Sequence, residues 1–127
     1  MKLCKLILFL VAVIFSTNAF ALTAKDKTSE SFAYYYYQKK DYSRAIEEYK
    51  SILKDNPKNQ KIRYNLASLY CLTKNYQSAI KEFRIILKSQ SPLKKDTLYN
   101  LTVIYGKYLK DNKNATKYYV EFKKMQK

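Results

Sequence analysis

Histidine is absent from the 127-residue chain, glycine occurs once, and proline and cysteine occur twice each. Without histidine, Ser-His-Asp and Cys-His catalysis and most zinc sites are excluded. A lone glycine excludes a phosphate-cradling loop. With only two prolines beside it, little vocabulary remains for tight β-hairpins. Acids are scarce too: 10 against 25 bases, a formal charge of +15. Glu47 and Glu48 are adjacent, so on a helix they diverge and form no acid/base couple. Cys71 has no base beside it to make a nucleophile. No enzyme activity, metal or cofactor is expected.

Long apolar runs are also missing, with one exception near the start. "MKLCKLILFLVAVIFSTNAFA" places Lys2 and Lys5 before an apolar run from Leu6 to Phe15, then small residues ending Ala19-Phe20-Ala21. This is the three-part layout of a secretory signal peptide with cleavage after Ala21. About ten apolar residues are too few to cross a bilayer that needs roughly 20. The sequence thus predicts a leader over 1–21 and a domain over 22–127, exported to the periplasm or beyond, in a bacterium. Cleavage leaves 106 of the 127 residues and lowers the charge from +15 to +13, because Lys2 and Lys5 leave. Cys4 leaves as well, so Cys71 has no disulfide partner.

What remains is rich in apolar residues at three and four spacings, which predicts helices. It also repeats. Residues 33–53, "AYYYYQKKDYSRAIEEYKSIL", align with 67–87, "ASLYCLTKNYQSAIKEFRIIL". One shift superimposes Ala33 on Ala67, Tyr36 on Tyr70, Lys40 on Lys74, Ala45 on Ala79 and Tyr49 on Phe83. A weaker third copy begins at "YNLTVIYG", where Ala115 and Tyr119 answer Ala79 and Phe83 after one residue inserted in the turn. Alanines at matching places let two helices approach closely, and the aromatic fills the space beside them. Asp41 and Asn75 stand where N-caps of second helices belong. Pro57 ends a helix, and Ser91-Pro92 reads as an N-cap with a first-turn proline.

This pattern resembles the tetratricopeptide repeat, a helix–turn–helix unit. The resemblance implies an all-α fold of three such repeats, about 26–59, 60–93 and 94–127, the third degenerate, stacked as a short right-handed α-solenoid. The large residue usual early in the first helix is missing, replaced by Ser29 and Arg63. The lysine-rich third copy would serve as a polar cap. Export and a groove together imply a non-enzymatic scaffold of the cell envelope whose partner is a peptide segment of another exported protein. The subclass that grips acidic C-terminal carboxylates is matched only at Asn65; Glu30, Tyr34, Asp96 and Asn100 stand where its other residues belong.

The four consecutive tyrosines, Tyr34 to Tyr37, cannot share one helix face, since neighbours lie about 100° apart. The resemblance places Tyr36 in the core and Tyr35, matching Leu69 and Ile104, between hairpins. Tyr34 and Tyr37 would face a concave groove with Gln38, Lys61, Tyr64, Asn65, Ser68, Tyr99 and Lys107. Lys27, Glu30, Cys71, Leu72, Asp96, Val103 and Gly106 hold further groove positions. Tyrosine suits peptide recognition, combining contact area with a hydrogen-bonding tip. The excess charge falls elsewhere. Lys81, Arg84 and Lys88 share a face of one second helix, and Lys113, Lys117 and Lys124 share a face of another. An alternative function follows: a basic adaptor binding anionic envelope polymers or lipid headgroups through its convex side. No nucleic-acid motif accompanies the charge, so nucleic acid is not expected as a partner.

Overall fold

The structure, a computed structural model, is described for residues 28–126. The expected leader over 1–21 and the groove position Lys27 lie outside these residues. Helix α1 occupies 28–38. It is followed by α2 (Tyr42–Asp55), α3 (Gln60–Leu72), α4 (Tyr76–Lys88), α5 (Lys94–Val103) and α6 (Asn112–Lys124). No strand occurs among the described residues, and no described helix is long and apolar enough to cross a membrane. Consecutive helices pack on one another, giving three hairpins in a stack. The all-α repeat architecture is the one the sequence implies.

Each hairpin is closed by local chemistry. The Asp41 carboxylate accepts the Arg44 N–H at 3.2 Å and the Asn75 side chain accepts the Ser78 N–H at 3.3 Å, as expected of N-caps. Asn59 does the same for Ile62, and Asp111 for Asn114. The turns share one conformation. Lys40, Lys74 and Lys110 all adopt left-handed backbone, with φ of 59°, 61° and 57°. In the first two turns the N–H after that lysine reaches back five residues, Asp41 to Tyr36 and Asn75 to Tyr70.

The third turn corrects an expectation. The extra residue sits in a π-helical segment, Ile104–Tyr108, at the end of α5, and not in the turn itself. Leu109 N–H reaches Ile104 O, and Asp111 N–H then reaches Tyr105 O, one residue further back than its counterparts. A π segment is how a helix absorbs one surplus residue without losing its axis. Ser91 corrects another. Its hydroxyl accepts the Leu93 N–H at 3.1 Å, forming a turn, while Leu93 takes the N-cap position of α5 without a side-chain bond.

Two cores run along the stack. The first joins Ala33, Ala45, Tyr49 and Ile52 to Ile62, Leu66 and Leu69. The second joins Ala67, Ala79, Phe83 and Ile86 to Leu98, Leu101 and Ile104. The four alanines expected at helix crossings are all fully buried. Helix α3 serves both cores, turning Leu66 and Leu69 one way and Ala67 the other. In the third hairpin the tight approach moves to Gly106, where an added Cβ would stand 3.4 Å from that of Ala115. Tyr118, stacked on Tyr105 at 5.6 Å, is buried, whereas Tyr119 is 49% exposed. The expected equivalence of Tyr119 with the core residue Phe83 therefore fails, since no further hairpin among the described residues covers that side of α6.

Arg63, the departure noted early in the second repeat, has its own partners. It reaches Glu82 of α4 at 2.5 Å and the Pro57 carbonyl at 2.6 Å, nearly buried. The ion pair ties α3 and the preceding turn to α4. Removing one partner of such a pair is costly because the other charge stays behind, desolvated.

Candidate functional site

Tyr34 and Tyr37 project from α1 over α3 and wall an open crevice of about 440 Å³. Its floor is Asn65, Ser68 and Leu69, with Leu72 at one end and Tyr49 of α2 closing the back. A second crevice shares Tyr34, Tyr49 and Asn65 and runs on to Glu30 and Lys61, so the two are continuous. The reason lies in side-chain size. The same repeat position holds bulky Tyr34 on α1 and small Ser68 on α3, which leaves a trough between tall wall and low floor.

The crevice has an apolar end and a polar end. Tyr34, Tyr37 and Leu72 are about half exposed at the apolar end. At the polar end the Lys61 ammonium donates to Glu30 at 2.6 Å, and this bond holds the Lys61 pKa above its usual value. Between them, burial and the Glu30 charge raise the pKa of the Tyr49 phenol, while the Asn65 side chain hydrogen-bonds to it. The Tyr49 hydroxyl is therefore neutral at physiological pH, and the two charges of the trough neutralise each other.

The remaining expected groove residues do not join this site. The Tyr64 hydroxyl accepts from Asn100 at 2.9 Å, and its ring packs edge-on against Phe83 at 5.6 Å. Tyr99 leans on Phe122 at 5.7 Å. Between α3 and α5 the corresponding space is thus crossed by side chains. Lys107 lies over Tyr108, and exposed Gln38 does not line the crevice. Tyr49, a wall of the trough, escaped sequence reasoning because its repeat position marks it as core, and at 9% exposure it is nearly that. Only the size contrast between Tyr34 and Ser68 signals that its edge would remain visible.

Tyr36 is half-buried against the first core, in keeping with its expected role. Tyr35 is not. It is 54% exposed, whereas Leu69 and Ile104 at matching positions are buried. Those two are covered by the hairpin before their own, and α1 has none before it among the described residues.

Cys71 is half-buried, and burial pushes its pKa up from 9.0 to about 11. Such a thiol is a packing residue, not a nucleophile. No group of acidic, cysteine or histidine side chains suited to a metal exists among the described residues. Of the basic stripes, Lys81, Arg84 and Lys88 line a shallow crevice with Ile80 and Ile85 on α4. Arg84 is partly committed there, donating to the Tyr105 hydroxyl at 2.9 Å. Lys113, Lys117 and Lys124 are exposed on α6, Lys117 lying over the Tyr118 ring.

Stacked helical hairpins with alanine crossings and a trough along their first helices define a repeat protein built for contact. Residues 36–92 match the family model of the tetratricopeptide repeat. The first two hairpins are tetratricopeptide repeats, the matched stretch covering most of them. No curated protein matches the chain. Proteins of this class are interaction modules and characteristically not enzymes.

Proposed function

We propose that the trough between α1 and α3 holds a segment of a partner protein, and that the chain works as a non-enzymatic scaffold of the bacterial envelope. One observation carries this reading: Tyr34 and Tyr37 stand about half exposed over a floor of Asn65 and Ser68. Exposed tyrosines above a preformed polar floor offer apolar contact and hydrogen bonds together, with little side-chain entropy to lose. Glu30 and Lys61 pair with each other. The occupant is therefore a largely uncharged segment, even though the chain as a whole carries +15. Its envelope setting rests on the leader over 1–21.

The test is capture from envelope extract by residues 22–127, wild type against Tyr34→Ala/Tyr37→Ala, washed at low and high salt. A partner retained by wild type through high salt and lost by the double variant supports the reading. Equal capture by both, with release by salt, removes it.

A further inference from the structure

Among the described residues the outward face of α6 takes no part in either core, apart from Lys117 lying over the Tyr118 ring. Its inward residues are Ala115, Tyr118 and Phe122, packed into the second core. Lys113, Lys117, Val120 and Lys124 recur at spacings of four, three and four, which puts them on one stripe of a helix. Tyr119 and Lys123 form the adjoining stripe. Tyr119 is 49% and Val120 46% exposed, and with Lys123 and Lys124 they border an open hollow of about 480 Å³. Two apolar side chains are thus interleaved with lysines along about 16 Å of helix. Glu121 is the only acid on α6.

We propose that this face docks on the surface of an anionic lipid bilayer. Lysines attract anionic headgroups over a Debye length and their stems lie along apolar material while the ammonium stays in water. Tyrosine and valine between them enter the headgroup boundary, which is how a basic amphipathic helix lies on a membrane without crossing it. Two features favour a bilayer over the alternatives. A soluble polyanion would use the lysines and gain nothing from Tyr119 and Val120. A stable protein interface needs on the order of 800 Å² per partner, far more than two half-exposed side chains supply. A second copy of the chain is opposed by its own positive charge. The proposal is independent of the trough between α1 and α3.

The test is sedimentation of the full chain with phosphatidylcholine vesicles, with or without phosphatidylglycerol, and with polyphosphate as competitor. The leader contributes equally to every variant, so the differences between variants are the readout. Lys123→Gln/Lys124→Gln is expected to weaken binding to anionic vesicles by roughly 30-fold. Tyr119→Ser/Val120→Ser is expected to weaken it by roughly tenfold. Lys39→Gln/Lys40→Gln removes the same charge from the first hairpin and should leave it within about twofold. Circular dichroism checks that all variants stay folded, as surface changes should. If the α6 variants bind anionic vesicles as wild type does, the proposal is overturned. Binding lost with the lysines but untouched by Tyr119→Ser/Val120→Ser, and fully displaced by polyphosphate, overturns it in favour of a polymer site.

Discussion

The space between α1 and α3 and the space between α3 and α5 are built from the same repeat positions, yet one is open and the other is crossed. In the first, Glu30 and Lys61 pair at one end and the tyrosines stand apart from Asn65 and Ser68. In the second, Tyr64 occupies the position of Glu30 and spans the gap to Asn100, the counterpart of Asn65. One substitution of acid by tyrosine turns an open trough into a bridged one. A repeat position is therefore not a role: what stands opposite decides whether a groove residue is free.

Breaking the closed side should have the largest effect. Phe83, fully buried beneath Tyr64, is expected to cost about 3–5 kcal/mol as Phe83→Ala, read by urea unfolding. Tyr34→Ala/Tyr37→Ala on the open side should stay within about 0.5 kcal/mol while abolishing capture. Asn100→Ala is a gentler break. It should lose about 1 kcal/mol, and the Tyr64 pKa, already raised by burial, should rise further once Asn100 no longer stabilises the phenolate. An NMR titration of the Tyr64 ring would follow it.

Thr97 sharpens the comparison from behind. It is fully buried at the position held by Ile62 in the repeat before, and its hydroxyl has no hydrogen-bond partner among the described residues. Thr97→Val should stabilise by about 1 kcal/mol in the same unfolding assay.

The smallest effect is a slope. Because the Cys71 thiol titrates near 11 folded and 9.0 unfolded, the unfolded chain loses its proton first. Its contribution to stability is fully present below pH 9 and declines between pH 9 and 11. Cys71→Ala should flatten that part of the stability–pH curve. The raised pKa values of Tyr49 and Tyr64 act with the same sign, from pH 10 upward.

Much of the scaffold was legible in the sequence because it is set by local rules. Ala33, Ala45, Ala67 and Ala79 mark helix crossings by size alone, and Asp41 and Asn75 mark helix starts by their side-chain oxygens. The matched pair Lys40 and Lys74 was visible, but its left-handed backbone was not, since lysine is an uncommon choice there. What escaped depends on neighbours. Tyr35 resembles Leu69 in position but has no hairpin before it among the described residues. The surplus residue of the third repeat could be counted but not placed, because a π segment and a longer turn absorb it equally well on paper. Of the expected groove, Tyr34, Tyr37, Lys61, Asn65 and Ser68 share one trough, while Gln38, Tyr64, Tyr99 and Lys107 stand outside it. The division follows from contacts between hairpins that a single repeat does not encode.

The most direct measurement uses the two asparagines as reporters. The partner captured from envelope extract would be titrated into isotopically labelled protein while the side-chain amides of Asn65 and Asn100 are followed by NMR. The Asn65 amide should shift and broaden, with the Asn100 amide, bonded to Tyr64, unmoved. Movement of Asn100 with Asn65 silent would contradict the account and place the partner on the other half of the stack.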